Sequence, residues 1–281
     1  MVNLTLPLYG SDQLLFCTAR IECSNSVGTA FFMNFSTNSP GMHVPCLITN
    51  KHVVEGFNSC SFFVHIGEFE NGDLKKIMEP IRVTIQNLHE IVFFHPNNDT
   101  DLCLIPFEPL REQAENKGKK IFYRSLDESL IPSEETLRNL LALEEVTMIG
   151  YPNGLWDEKN NFPLLRRGST ATHPAVDFNN RPIACVDIAC IPGSSGSPIV
   201  LFNEGTFKTR GNVTVGSRAL LLGVLFAGPV MSVDGNIRIE EIPTTSKPVF
   251  NINQMIHLGY YIKAKELLLL KSAFYKKAGI I

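Results

Sequence analysis

Apolar residues recur along most of the chain in short blocks of strand length. "VGTAFFMNF", "VPCLITNKHVV", "SCSFFVHI" and "IRVTIQNL" are rich in β-branched and aromatic residues, which fit a pleated, half-buried surface. "TARIECSN" followed by "VGTAFFMNF" reads as a hairpin, with Gly28 permitting the bend. "DLCLIPF" is almost continuously apolar, as expected of a strand covered on both faces. Beyond residue 110 the pattern breaks, and "EPLREQAENKGKKIFYRSLDESLIPSEETLRNL" reads as a polar linker over the surface. Strand-like blocks resume at "EEVTMIGYPNG" and continue through "LLRRGSTATH", "ACVDIAC", "SPIVLF" and "ALLLGVLFAG", with turn sequences such as "DFNNRP" between them. From Val249 the pattern turns helical, in "VFNINQMIHLGY" and then "IKAKELLLLKSAFYKK". The second of these mixes Leu with Lys and is expected to dock an apolar face on the body.

The pattern predicts an all-β protein with C-terminal helices. Its parts are a β-rich half over residues 1–110, a linker over 111–140, a second β-rich half over 141–245 and a helical segment over 246–281. Many short strands punctuated by turns point to barrels or sandwiches rather than to a βαβ sheet.

Composition narrows the function classes. With 281 residues, 44% of them apolar and 19% charged, the chain is of the soluble globular kind. A net charge of −3 excludes broad electrostatic attraction to nucleic acid or an anionic membrane. No stretch approaches the ~20 apolar residues of a membrane span. The first residues lack the basic and apolar regions of a signal peptide, so the expected location is cytoplasmic. Seven cysteines, Cys17, Cys23, Cys46, Cys60, Cys103, Cys185 and Cys190, lie mostly inside apolar runs and read as buried thiols of a reducing compartment. Neither a Cys-x-x-Cys pair nor a paired Cys/His spacing occurs, so no metal and no cofactor is expected.

One set of residues suits nucleophilic catalysis. A serine needs a base to take its proton, an acid to hold that base in one tautomer, and backbone N–H groups where an oxyanion forms. His52 sits near the end of "CLITNKHVV", where a strand would deliver a side chain to a barrel rim, Asp101 opens "DLCLIPF", and Ser195 lies in "PGSSGSP". Asp99 competes with Asp101, being two residues away on the same side of an extended strand. The order His, Asp, Ser excludes the α/β-hydrolase and subtilisin plans, and "GSSGS" is not the G-x-S-x-G elbow. Ser194 and Ser197 read as turn residues.

In order and spacing, "GTAFF", "LITNKHVV", "DTDLCLI" and "PGSSGSPIV" resemble the motifs of chymotrypsin/trypsin-like serine proteases, most closely the bacterial trypsin-like peptidases. "MIGYPNG", "RRGSTATHP" and "LLLGVLFAG" resemble later landmarks of that group, so the likeness covers roughly residues 15–245. It implies two six-stranded antiparallel β-barrels with the active site between them. It also implies His52 as general base, Asp101 as its orienting acid, Ser195 as nucleophile, and the backbone N–H groups of Gly193 and Ser195 as the oxyanion hole. Gly196 and Pro198 would hold the turn. Phe226, Ala227 and Gly228 match the edge on which an extended substrate pairs, and Ala189 matches the floor of the P1 pocket. With no acid there, the expected P1 residue is small or medium and apolar, unless Asp187 reaches the pocket.

The likeness implies a protein or peptide substrate and a serine endopeptidase, extending to regulated bacterial intracellular, defence-associated proteases. The alternative is a protease-fold binding module that is catalytically silent or needs an activating protein partner. Ser194 stands where secreted relatives carry an aspartate that pairs with a freshly cut N-terminus, and a serine cannot form that ion pair. Activation by N-terminal clipping is therefore not expected. Restraint is expected instead from a loop, Cys190–Ser195, that orders only on binding.

Overall fold

The strand Val27–Ser36 shows why its sequence looked apolar without alternation. Ala30 and Phe32 face one buried cluster, with Leu47, Phe62 and Ile105, while Phe31, Met33 and Phe35 face another, with Ile149, Val200 and Leu221. Successive side chains of a strand point to opposite faces, so a strand between two cores carries no polar face.

The computed structural model describes residues 2, 4–153, 155–231, 237–241, 254–255 and 257–280. It is mostly β. The N-terminal sheet holds β1 (Thr18–Glu22), β2 (Val27–Ser36), β3 (His43–Thr49), β4 (Cys60–Glu70), β5 (Asp73–Ile77), β6 (Ile81–Ile85), β7 (Phe93–Phe94), β8 (Cys103–Pro106), β9 (Ile121–Phe122) and β10 (Leu126–Asp127). The second half holds β11 (Glu145–Gly150), β12 (Leu164–Thr170), β13 (Ile183–Asp187), β14 (Pro198–Asn203), β15 (Thr206–Thr209), β16 (Asn212–Val215), β17 (Arg218–Met231), β18 (Ile237–Glu241), β19 (Gln254–Met255) and β20 (Leu258–Lys263). Among the described residues five α-helices accompany them, α1 (Lys51–Val54), α2 (Leu88–Ile91), α3 (Glu108–Glu115), α4 (Glu134–Asn139) and α5 (Lys265–Ala278).

The pairing β14-β11-β12-β13-β20-β17 returns to β14 and closes a six-stranded antiparallel barrel. The N-terminal sheet runs β5-β4-β1-β2-β3-β8-β7, with β6 and β9 on β4 and β10 on β2. Among the described residues no ring of pairings closes it. Each half wraps its own core, one around Phe32, Phe62 and Phe107 and one around Met148, Ile199 and Tyr261, and a third cluster is shared between them. The all-β architecture that the resemblance implied is present, with one of its two six-stranded antiparallel barrels explicit as a closed ring.

Two segments differ from expectation. The polar stretch 111–140 is no free linker: β9 pairs with β4 and β10 with β2, which stitches it to the N-terminal sheet. Its buried residues are all apolar, Ala114, Ile121, Phe122, Leu126 and Leu140. The helical segment expected from 246 begins only at Lys265, because Leu258–Lys263 forms β20 inside the second barrel. A short apolar run such as Tyr260–Ile262 has no period that separates helix from strand, and pairing to β13 and β17 decides it. The second half thus extends past 245. The part of that expectation on residues 242–253 and 256 lies outside the described residues.

All seven cysteines are buried and free. Burial pushes the thiols of Cys17, Cys23, Cys46, Cys60 and Cys190 up to about 12, which keeps them protonated and inert. No helix of the described residues is long and apolar enough to cross a membrane.

Helix α5 crosses back to the N-terminal sheet. Tyr275 donates its hydroxyl to the Phe35 carbonyl at 3.0 Å. Lys271 donates to both Glu128 carboxylate oxygens at 3.0 and 2.8 Å, and Ser36 donates to Glu128 through its N–H at 3.0 Å and its hydroxyl at 2.8 Å. Burial alone would raise the Glu128 carboxyl, but the bonds from Lys271 and Ser36 outweigh it and hold it below its ordinary value. A carboxyl depressed by folding contributes stability above its unfolded pKa and loses it as pH falls through the folded one. Glu128→Gln is therefore expected to cost up to about 1 kcal/mol at neutral pH, the pair being partly exposed. It should also flatten the loss of stability below about pH 4.5, as measured by urea unfolding across that range.

Candidate active site

Strand β3 ends at Thr49, and the chain turns at once into α1, so His52 sits on a single helical turn rather than at a strand end. Three contacts fix that turn. Thr49 donates its hydroxyl to the Thr29 carbonyl at 2.7 Å, and the buried Asn50 donates its amide to the Asp101 carbonyl at 2.8 Å. The His52 backbone N–H donates to Asp101 Oδ1 at 3.0 Å.

Asp101 lies just before β8 and faces the ring. His52 Nδ1 is 2.5 Å from Asp101 Oδ2, and His52 Nε2 is 3.1 Å from Ser195 Oγ. An ionised carboxylate only accepts, so the neutral ring carries its proton on Nδ1 and turns a bare Nε2 toward the serine. Asp99 is exposed, and its N–H donates to Asn97 Oδ1. Of the two competing carboxylates, Asp101 is the one brought to His52. The side chains of His52 and Asp101 are each 13% exposed, and Ser195 is 0% exposed.

The serine loop is held from both halves. Asn153 donates its N–H to the Pro192 carbonyl at 2.7 Å, and a planar trans peptide then turns the Gly193 N–H to the opposite side. Thr29 donates its hydroxyl to the Gly193 carbonyl at 3.0 Å, accepts the Tyr151 N–H at 3.0 Å, and donates its own N–H to the Ser195 carbonyl at 2.7 Å. Beyond the serine, the Gly196 N–H donates to the Leu225 carbonyl at 2.9 Å and starts the register of β14 on β17. Gly193 has φ +88°, and a Cβ there would lie 2.5 Å from the Tyr151 carbonyl oxygen and 2.7 Å from the Asn153 nitrogen. Only glycine fits that turn. All these bonds come from the chain itself.

Thr29 is the hub of this arrangement, and Thr29→Val isolates its hydroxyl at nearly constant volume. Both the Tyr151 N–H and the Gly193 carbonyl then lose a partner in a buried place, at about 1–3 kcal/mol each. A drop of roughly 2–5 kcal/mol in unfolding free energy is expected, read from urea denaturation.

Two further expectations meet a different environment. Ala189 is half-buried, and its carbonyl accepts a bond from Arg166 Nη1, whereas Asp187 is exposed at the end of β13. Of Phe226, Ala227 and Gly228, the last two do not present an open edge, and Phe226 falls at an irregularity of the β17–β20 register. Ala227 pairs with Tyr260 of β20 on one side and with Glu241 of β18 on the other, and Gly228 pairs with Glu240.

Comparison with protein-family models and with curated proteins finds no match. Among solved structures, Rv3671c from M. tuberculosis H37Rv, as a serine-to-alanine mutant in an inactive form, is 15% identical with a TM-score of 0.43, covering 92% of this chain and 85% of that one. The Rv3671c protease in an inactive form is 14% identical with a TM-score of 0.42, covering 94% and 91%. The MamO protease domain of Magnetospirillum magneticum, in its apo form, is 14% identical with a TM-score of 0.40, covering 82% and 93%. Likeness at this level says nothing of residues or activity.

The local geometry is what speaks to chemistry. The arrangement can pass a proton from Ser195 Oγ to His52 Nε2 and hold the resulting imidazolium against the Asp101 carboxylate. The supporting residues Thr29, Asn50, Asn153 and Arg166 were not singled out in the sequence. They lie inside "GTAFF", "LITNKHVV", "MIGYPNG" and "RRGSTATHP", whose order and spacing mark the resemblance without marking these side chains.

Proposed function

We propose that the chain is a serine endopeptidase acting on protein or peptide substrates. The observation that carries this reading is the unbroken line from Asp101 through His52 to Ser195, with contacts of 2.5 and 3.1 Å. Ser195 Oγ attacks the peptide carbonyl carbon while His52 Nε2 takes its proton. The carbonyl oxygen, now an oxyanion, accepts from the N–H groups of Gly193 and Ser195, and Asp101 stabilises the imidazolium. His52 returns the proton to the leaving amine, and the C–N bond breaks. A water then attacks the acyl-enzyme, giving its proton to His52, and Ser195 Oγ leaves with that proton restored.

The Pro192–Asn153 bond supports the oxyanion role, because it fixes the plane of the Pro192–Gly193 peptide and with it the direction of the Gly193 N–H. Donors fixed before reaction need no reorganisation when charge develops. An alanine and not an acid at position 189, the expected pocket floor, supports a small or medium apolar residue before the cut bond.

The test is covalent labelling. A fluorophosphonate incubated with the purified protein should add one phosphonyl group, found on the peptide containing Ser195 by mass spectrometry. A folded protein that stays unlabelled would return the chain to the class of protease-fold binding modules.

A further inference from the structure

Arg166 lies on β12 with its guanidinium half-buried, and no carboxylate partners it among the described residues. The contrast with the neighbouring Arg218 is sharp, since that residue meets Glu144 at 2.8 Å. Arg166 instead spends its donors on neutral acceptors. Nη1 donates to the Ala189 carbonyl, Nη2 donates to Ser194 Oγ at 2.6 Å and lies 3.9 Å from Met148 Sδ, and Nε is buried without an acceptor. Burial pulls its pKa down, yet a guanidinium stays charged in a protein. A cation taken from water without a counter-ion is costly, and an apolar side chain of similar volume suits such a place better.

Its two acceptors explain what it does there. Ala189 and Ser194 are the two ends of the segment that carries Gly193, and the Ser195 N–H belongs to the peptide unit whose carbonyl is that of Ser194. Fixing Ser194 therefore fixes the direction of that N–H. Asn153 and Thr29 hold the middle of the same segment, at Pro192 and Gly193. We propose that Arg166 is a positioning residue for the oxyanion hole, an internal cation that clamps both ends of the Ala189–Ser194 segment through the Ser194 hydroxyl and the Ala189 carbonyl. This rests on the endopeptidase reading. It gives Ser194 a task that the turn reading denied it, since its hydroxyl is the acceptor that brings the cation within one residue of the nucleophile.

The test compares wild type with Arg166→Met, Arg166→Lys and Arg166→Ala. The readouts are the rate of fluorophosphonate labelling, the steady-state constants on a cleaved peptide, and the melting temperature. Arg166→Met is expected to lower labelling and kcat about a hundredfold, the scale of losing one oxyanion donor. KM should change little, the pH profile should keep its shape, and the melting temperature should hold or rise because the uncompensated charge is gone. Arg166→Lys should fall between the two. Millimolar methylguanidinium should restore part of the labelling rate of Arg166→Ala. Wild-type labelling rates in Arg166→Met would overturn the proposal and leave the endopeptidase reading intact. So would a melting temperature that falls in step with the rate, with no rescue by methylguanidinium, since that is the mark of a merely structural residue. A folded wild type that takes up no label would overturn the endopeptidase reading, and this inference with it.

Discussion

Ser195→Ala is expected to lower the rate of peptide cleavage by about 10⁶-fold, the scale on which removal of a nucleophile acts in hydrolases of this design. The argument starts from what remains after the hydroxyl is gone. Asn153, Thr29 and the Gly196–Leu225 bond still hold the loop, and the Asp101–His52 contact at 2.5 Å does not involve Ser195 Oγ. Binding and oxyanion donors thus survive, and only the covalent route is lost. The variant should remain folded, with a stability change of roughly 1 kcal/mol or less, and should take no phosphonate label. A residual rate above that of buffer would report the oxyanion donors working on water alone. Stopped peptide assays at high enzyme concentration, beside circular dichroism, separate loss of chemistry from loss of fold. A variant that cuts peptide as fast as wild type would remove Ser195 from the proposed mechanism.

Asp101→Asn is expected to cost about 10⁴-fold in kcat. Asp101 does two things at once, accepting the His52 N–H at 3.0 Å with one oxygen and facing Nδ1 at 2.5 Å with the other. An amide keeps one acceptor and replaces the other by a donor. If its oxygen stays with the backbone N–H, its NH2 faces Nδ1, which must then accept, and the ring proton moves to Nε2. Nε2 can no longer take the proton of Ser195. The geometry survives while the tautomer is wrong, so the loss should fall on kcat with the fold intact. Asp99→Asn provides the control: that carboxylate is exposed and away from the ring, so its rate should match wild type. The reverse pattern would transfer the role from Asp101 to Asp99.

Much of the arrangement was legible because some residues carry their reason locally. His52, Asp101 and Ser195 stand in short motifs whose order constrains what they can be, and Gly193 follows from a turn that a side chain would obstruct. The barrel strands were readable because they are apolar on both faces, as β2 shows. What escaped reading depends on partners far away in the chain. Thr29 matters through Gly193 and Tyr151, and nothing in "GTAFF" marks a hydroxyl that must meet a loop in the other half. Arg166 in "LLRRG" looks like one of two ordinary strand arginines, and only the fold turns it inward to Ser194 while Arg167 meets Glu145 at the surface. Strand β20 escaped for a related reason. Its apolar run fits helix or strand, and the gap between β13 and β17 selects the strand.

The pairing of β18 with β17 bears on the kind of recognition expected of the proposed endopeptidase. A peptide adds a strand to a sheet at little cost when the receiving edge is bare, but Ala227 already has neighbours on both sides and Gly228 is paired with Glu240. Binding an extended chain there is an exchange, with one set of main-chain hydrogen bonds surrendered for another of the same kind. Their contribution largely cancels, so backbone pairing on that edge supplies little net affinity. Selection among polypeptides then passes to side chains and to the ease with which an incoming strand replaces the resident one. On the endopeptidase reading proposed above, loose termini and unfolded segments, whose main-chain groups are not already paired, are the polypeptides expected to make that exchange.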